Sequence, residues 1–340
     1  MANILFIKSN NSSFILFDEH LLKKHHTLKC YLFLASNKFL KLFMSQIKLF
    51  LWLFSNIDSS ELLYIWFADY HSLLPVLLAK LFSKKSIIVV GGFDVARIEE
   101  IRYGGHVKVI RSLHIRFSFY YASYLLPVSK FIEKELIKYN RRTPRSLVYN
   151  VVDPQQFYRT TSINKQKMVL TVGIIKNKWI ALNKGIDLYL QAASKLPEIR
   201  FVVVSIEPEA ESFIQSLHPL PNVEIKSRIT RDELMILYNQ AQVYCQFSHF
   251  ESFCLSLAEA MLCECIPVIT RNGALPEVVG DNGFVVETRN PEQISLVIQQ
   301  AMKLGQSERT KARQWIEQNF NPQYREHHLN QIITTLITGK

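Results

Sequence analysis

Short apolar runs alternate with longer segments of mixed polarity along the whole chain. In the first half the runs at 3–7, 30–35, 62–67, 86–91, 124–128 and 146–149 read as strands. Helix-length amphipathic patterns lie between them, for example Ser72 to Phe82 and Lys130 to Tyr139, the latter preceded by Ser129 as an N-cap. Strands that are apolar throughout and separated by helices indicate a parallel, doubly wound sheet. A polar stretch, Asp153 to Lys167, interrupts the pattern, which then restarts with strands at 168–173, 200–205, 222–226, 242–246, 266–269 and 283–286. Arg309 to Ile337 reads as helix, broken near Asn321-Pro322. The expected fold class is α/β, with two Rossmann-like doubly wound parallel-sheet domains facing a cleft. Ligands in such sheets bind beyond the carboxyl ends of the strands.

A length of 340 residues suits two domains of about 150 residues each. The expected boundaries are 1–155, 156–320 and a terminal helix at 321–340. No apolar stretch approaches the roughly 20 residues of a transmembrane helix. The N-terminus runs straight into Asn3-Ile4-Leu5-Phe6-Ile7, without the features of a secretory signal. Five cysteines without a disulfide-like framework fit a reducing cytosol. Cys263 and Cys265 are too close in sequence for an ordinary metal or redox motif and read as buried thiols. A cytoplasmic location is expected.

Charge changes this picture. The net charge is +11, and residues 1–150 hold 21 Lys/Arg against 10 Asp/Glu, so the whole excess lies in the first half. Such a field favours an anionic partner, although a solvated basic surface with no partner would look the same. Within this half, residues 37–54 read NKFLKLFMSQIKLFLWLF, an aromatic-rich segment carrying Lys38, Lys41 and Lys48. It can lie in a membrane interface, with a peripheral position at the inner face, or pack as a buried helix on the sheet.

Residues 248–286 carry the densest chemical signal: SHFESFCLSLAEAMLCECIPVITRNGALPEVVGDNGFVV. Glu251 and Glu259 sit eight apart around small and apolar residues, followed by the strand Ile266-Pro267-Val268-Ile269 and by Gly273-Ala274-Leu275-Pro276-Glu277. Upstream, Thr171-Val172-Gly173 ends a strand and Lys184-Gly185-Ile186-Asp187 opens a helix. Together these segments resemble the retaining glycosyltransferases of the GT-B fold, family 4 (group 1). The resemblance is strong from about 168 to 286 and pattern-level before 150.

The resemblance implies a donor site for a nucleotide sugar in the C-terminal domain and an acceptor site in the N-terminal one. It gives Glu251 the transferred sugar, Glu259 the ribose and Lys184 the donor diphosphate. A carboxylate suits a hydroxyl pair, and amides at a helix N-terminus suit phosphate. Ser252, Phe253, Cys254 and Leu255 would supply those amides, and Gly173 would stand by the diphosphate. Two local alternatives stay open: Ser256-Leu257-Ala258-Glu259 has the form of a capping box, and Lys184 suits an exposed surface. The family often has an arginine directly after the glycine. Ile174 stands there, so Lys176 or Lys178 would replace it. Glycines common in relatives are replaced by Ser252 and Cys254.

On the acceptor side the candidates are Ser12 and Ser13 after the first strand, then Gly91, Gly92 and Asp94 after the fourth, with His71 nearby. His71 can also be a satisfied helix-start residue. No Walker loop, zinc spacing or Asp-x-Asp pair is present, so metal-independent transfer with no cofactor is expected. The expected partners are a nucleotide sugar, a glycan or lipid-linked acceptor and an anionic membrane surface, without nucleic acid. The expected function is retaining sugar transfer in cell-envelope or polysaccharide biosynthesis. The rivals are a GT-B sugar-nucleotide epimerase and a non-catalytic basic nucleic-acid-binding module.

Overall fold

The computed structural model describes residues 1–36 and 38–339, so Asn37, the first residue of the 37–54 segment, lies outside the described residues. The chain divides into two compact units, Met1–Asn150 with Gln323–Lys340, and Val151–Pro322.

In the first unit β1 (Asn3–Lys8), α1 (Ser13–His25), β2 (Thr27–Leu32), α2 (Phe39–Asn56), β3 (Leu62–Trp66), α3 (Leu73–Leu81), β4 (Lys85–Val90), α4 (Val109–Tyr121), β5 (Tyr124–Pro127) and α5 (Lys130–Ile137) follow in order. The sheet order is β2-β1-β3-β4-β5, parallel throughout. Right-handed crossovers put α2, α3 and α4 on one face and α1 on the other. Strands β3 and β4 are buried nearly end to end, as their continuous apolar runs predict.

Two strand expectations need correction. The run 30–35 forms its strand three residues earlier, because β2 is an exposed edge whose position is set by pairing Asn3 with Thr27 and not by burial. Residues 146–149 form no strand. They run beside β5 with single hydrogen bonds, Ser146 N–H to Leu125 O (3.2 Å) and Val148 N–H to Pro127 O (3.0 Å).

The second unit contains β6 (Gln166–Ile175), α6 (Lys178–Lys184), α7 (Ile186–Ala193), β7 (Arg200–Ile206), α8 (Pro208–Ser216), β8 (Val223–Lys226), α9 (Arg231–Gln240), β9 (Ala241–Gln246), α10 (Leu255–Leu262), β10 (Ile266–Thr270), α11 (Leu275–Val279), β11 (Phe284–Val286), α12 (Pro291–Met302) and α13 (Gln306–Asn319). Its parallel sheet has the order β11-β10-β9-β6-β7-β8. The winding reverses between β6 and β9, which opens a crevice at their carboxyl ends. Val169, Phe201, Val203, Val243 and Val268 pack the sheet against its helices.

The proline break predicted near Asn321-Pro322 separates α13 from α14 (Pro322–Thr338). Helix α14 belongs to the first unit from Gln323 onward. Arg325 fixes it there through Nε and Nη2 to the two oxygens of Asp18 (2.5 and 2.8 Å) and through Nη1 to the carbonyls of Val148 and Tyr149 (2.9 and 2.6 Å). Asp18 also accepts from Tyr64 Oη and Trp66 Nε1 (2.7 and 3.0 Å), so the buried ion pair is saturated.

Candidate functional site

The crevice between β6 and β9 receives three segments of the second unit. Strand β6 leads to Gly173, where an added Cβ would meet only the aliphatic stem of Lys184, at 3.5 Å and beyond. Helix α6 is N-capped by Asn177, whose Oδ1 accepts from Ile180 N–H, and it ends at Lys184 because Gly185 takes a left-handed φ of 71°. A Cβ on Gly185 would stand 2.3 Å from Phe247 O, so only glycine lets this turn approach the end of β9. Lys184 Nζ is thereby brought onto Glu251 Oε1 as a close ion pair.

Glu251 follows β9 and is buried. Its Oε1 also accepts from Ser248 Oγ (3.0 Å) and lies 3.4 Å from Gln246 Nε2. The opposite oxygen, Oε2, takes none of these donors. Gly273, with φ of 66°, closes over the Glu251 backbone, and a side chain there would stand 2.4 Å from Glu251 O. Ser248 is held in turn by Thr270 Oγ1 and Asn272 Nδ2, which donate to its carbonyl (3.1 and 3.0 Å). The Glu251 carboxylate is thus fixed by β9, β10 and the following turn together.

After Glu251 the chain enters α10 through Ser252, Phe253 and Cys254. Phe253 is buried edge-on against Phe320, with centroids 5.1 Å apart. Cys254 adopts a φ of 77° at the N-cap, a conformation that favours glycine. Its thiol is buried, and burial pushes its pKa up to about 12, so it is neutral and unreactive. Among the described residues no backbone or side-chain acceptor takes the amides of Ser252, Phe253, Cys254 or Leu255. Cys254 and Leu255 are orphan donors of the helix N-terminus and Ser252 and Phe253 precede it in the turn, all set beside one lysine and one fixed carboxylate. Such an arrangement can hold an anion through amides and ammonium while Glu251 accepts from a hydroxyl.

The capping-box alternative is not realised: Ser256 Oγ donates to Val172 O (3.1 Å) and accepts from Tyr244 Oη (2.8 Å), and α10 has no side-chain cap. Glu259 instead accepts from Tyr238 Oη (2.9 Å), and burial pushes its carboxyl up to about 7. Lys178 sits over the rings of Trp179 and Phe213 (5.7 and 5.6 Å), turned to α8, and Lys176 is exposed. Gln246, Ser248 and Tyr244 went unnoticed in the sequence. A polar residue closing the apolar strand 242–246 was the available signal.

The candidates of the first unit lie at the carboxyl edge of their own sheet. Ser12 is the N-cap residue of α1, with Oγ donating to Asn10 Oδ1 (2.5 Å), and Ser13 is exposed. Gly91 has no room for a side chain, because the Phe67 ring lies 2.1 Å from a built Cβ. Phe67 itself has a φ of 66° and touches Phe14 and Trp66. Asp94 is buried and binds Gly92 N–H (2.8 Å) and Ala68 N–H (3.1 Å), which ties β4 to β3; burial pushes its carboxyl up to about 6. His71 is buried with Nε2 on Trp66 O (2.8 Å), and desolvation lowers its pKa. In this structure Asp94 and His71 serve the interior of the unit.

Residues 154–321, nearly all of the second unit, match the family described as glycosyl transferases group 1. The second unit is a group 1 glycosyl transferase domain. A stretch of the chain is similar to an MMP alpha-(1->4)-mannosyltransferase of Mycolicibacterium hassiacum, 33% identical over 134 residues, 36% of this chain and 33% of that protein. The chain spans about a third of the length of the curated relatives it matches first. By structure it resembles sucrose-phosphate synthase from Thermosynechococcus elongatus over 100% of both chains, with TM-score 0.84 and 15% identity. It also resembles Anabaena HepE in complex with UDP-glucose, TM-score 0.77 at 14% identity, over 98% of this chain and 100% of that one. These likenesses are of fold, and they fix the class as the GT-B one.

Proposed function

We propose that the protein is a retaining glycosyltransferase that moves a sugar from a nucleoside diphosphate sugar to a glycan or lipid-linked acceptor, in cell-envelope or polysaccharide biosynthesis. The observation that carries the reading is the pairing of Lys184 with Glu251 beside the unbonded amides that open α10. Lys184 and the amides would hold the diphosphate, and their charge would count most as the leaving phosphate develops its own. Glu251 would hold a sugar hydroxyl through Oε2, and Glu259 the ribose. The acceptor would attack the face that the diphosphate leaves, its proton passing to a donor phosphate oxygen, so no protein nucleophile is required. Phosphate neutralised by lysine and amides needs no metal. The names of the relatives support a sugar nucleotide, since HepE was solved with UDP-glucose.

We also place the enzyme peripherally at an anionic membrane, through α2 and the basic first unit. Screening nucleotide sugars by thermal shift should find one that raises the melting temperature, because a ligand of the folded state stabilises it by mass action. NMR of the product with that donor should show the donor's anomeric configuration. An inverted product would remove the retaining mechanism, and a screen with no stabilising nucleotide sugar would remove the donor reading.

A further inference from the structure

Most large apolar side chains left exposed among the described residues lie on one face of the first unit. Helix α2 buries Leu49 and Leu53 but turns Leu40, Phe43, Met44, Ile47, Leu51 and Phe54 to solvent. Leu77 and Leu81 continue this surface on α3, and Val109, Ile110, Leu113, Phe117 and Tyr120 continue it on α4. The three helices adjoin: Phe54 meets the Phe82 ring edge-on at 6.5 Å, and Lys80 Nζ lies over the Tyr121 ring at 5.0 Å. A contiguous exposed apolar area of this extent marks an interaction site, and its basic fringe selects an anionic partner.

At the α4 border of this face is a cavity of about 350 Å³ lined by Arg116, Arg141 and Arg142 with Phe117, Tyr120 and Tyr139. Its frame is rigid. Arg116 lies 5.4 Å from the centroid of Tyr139, whose other face stacks on His106 at 3.7 Å. Asn140 Oδ1 accepts from the amides of Arg142 and Thr143 (3.0 and 2.9 Å), and Thr143 Oγ1 donates to Phe119 O (2.7 Å). The turn that carries Arg141 and Arg142 is therefore tied to the helix that carries Arg116. Residues 101–150 hold ten Lys/Arg and only two Asp/Glu, Glu133 and Glu135. These two face Arg145 (3.6 Å) and Lys138 (2.6 Å), and among the described residues no carboxylate forms an ion pair with Arg116, Arg141 or Arg142.

We propose that Arg116, Arg141 and Arg142 bind the phosphate of an anionic phospholipid in a bilayer, while the outward faces of α2, α3 and α4 lie in its interface. Guanidinium forks match phosphate oxygens, and the aromatic lining suits the glycerol and upper acyl region beside them. The inference rests on the membrane reading above and adds to it a defined headgroup site.

Co-sedimentation with phosphatidylcholine vesicles, with and without phosphatidylglycerol, tests it. The wild-type protein should bind the anionic vesicles and bind pure phosphatidylcholine more weakly. The triple variant Arg116→Gln, Arg141→Gln, Arg142→Gln should lose about fivefold in partitioning per arginine, or about a hundredfold in all. Lys85→Gln, Lys167→Gln, Lys311→Gln removes the same charge outside the cavity lining and should lose only a few-fold. The exchanged arginines are exposed, and circular dichroism should match wild type for both variants. If the protein ignores anionic vesicles, the membrane reading itself fails. If it binds and the two triple variants lose equally, the headgroup site fails while the membrane reading stands. Stabilisation of wild type by inorganic phosphate, lost in the arginine variant and without vesicle binding, would assign the cavity to a soluble phosphate and overturn the lipid.

Discussion

In the second unit Lys184, Gln246, Ser248 and Glu251 converge from the ends of β9 and α6 on a place where, among the described residues, four backbone amides have no acceptor. In the first unit the polar residues at the equivalent edge, Asp94 and His71, bond the loops that carry them, and the most heavily bonded charge, Asp18, is locked inside. Conversely, the second unit, residues 151–322, is nearly balanced, with 17 Lys/Arg against 18 Asp/Glu, whereas the first exposes its basic and aromatic residues outward. A polar residue at the carboxyl end of a parallel strand is thus a candidate for chemistry only when its bonding is incomplete. Incomplete bonding is what distinguishes the Glu251 region, and it can be probed from both sides.

The largest effect should come from the saturated side. Arg325→Met leaves Asp18 buried and unpaired, and should destabilise the first unit by about 3–5 kcal/mol in chemical denaturation. A loss below 1 kcal/mol would mean that this pair contributes little to the first unit. On the unsaturated side Lys184→Ala should slow transfer by roughly two to three decades and weaken nucleoside diphosphate binding in calorimetry. Unchanged affinity would move the phosphate grip to Lys176 or Lys178. Glu251→Gln removes the charge from a hydroxyl-binding bond and should cost about 1.5–3 kcal/mol in kcat/KM; near-normal turnover would take Glu251 out of the site.

Glu259 gives a pH signature. Its folded-state pKa of about 7 lies above the usual carboxylate value, so the folded protein holds a proton that the unfolded chain has lost. Its contribution to stability is complete below the ordinary glutamate pKa and disappears as pH rises through about 7. If the ionised form accepts from ribose, nucleotide affinity should rise up to about tenfold from pH 6 to 8, relative to a Glu259→Gln variant titrated in parallel. Parallel curves would leave Glu259 with Tyr238 alone. The smallest expected effect is none at all: EDTA should not change turnover, and a loss restored by Mg²⁺ or Mn²⁺ would show that transfer uses a metal.

Glu251, Lys184 and Gly173 were legible in the sequence because each belongs to a local strand-to-helix junction, and junctions carry their own glycines and spacing. Buried strands such as β3 and β4 were legible for a similar reason, since burial on both faces writes a continuous apolar run. The strand β2 was misplaced because an edge takes its register from a partner. The capping box at Ser256 failed because Val172 and Tyr244, distant in sequence, compete for its hydroxyl. The segment 37–54 left membrane and core readings open, since apolar residues on opposite helix faces look alike until one face is covered. Arg116 and Arg141 meet only through the Asn140 turn, which no linear pattern announces.

The Asp18–Arg325 pair also sets a schedule. The two residues are separated by 307 positions, and the whole second unit is encoded between them. At synthesis rates of about 5–20 residues per second, the ribosome needs roughly 15–60 s to travel from one to the other. For that interval the first unit waits with a carboxylate that has no guanidinium to meet, while the second unit is still being made. The half of the protein made first is completed last, and for that interval it is the half that a chaperone or protease would recognise.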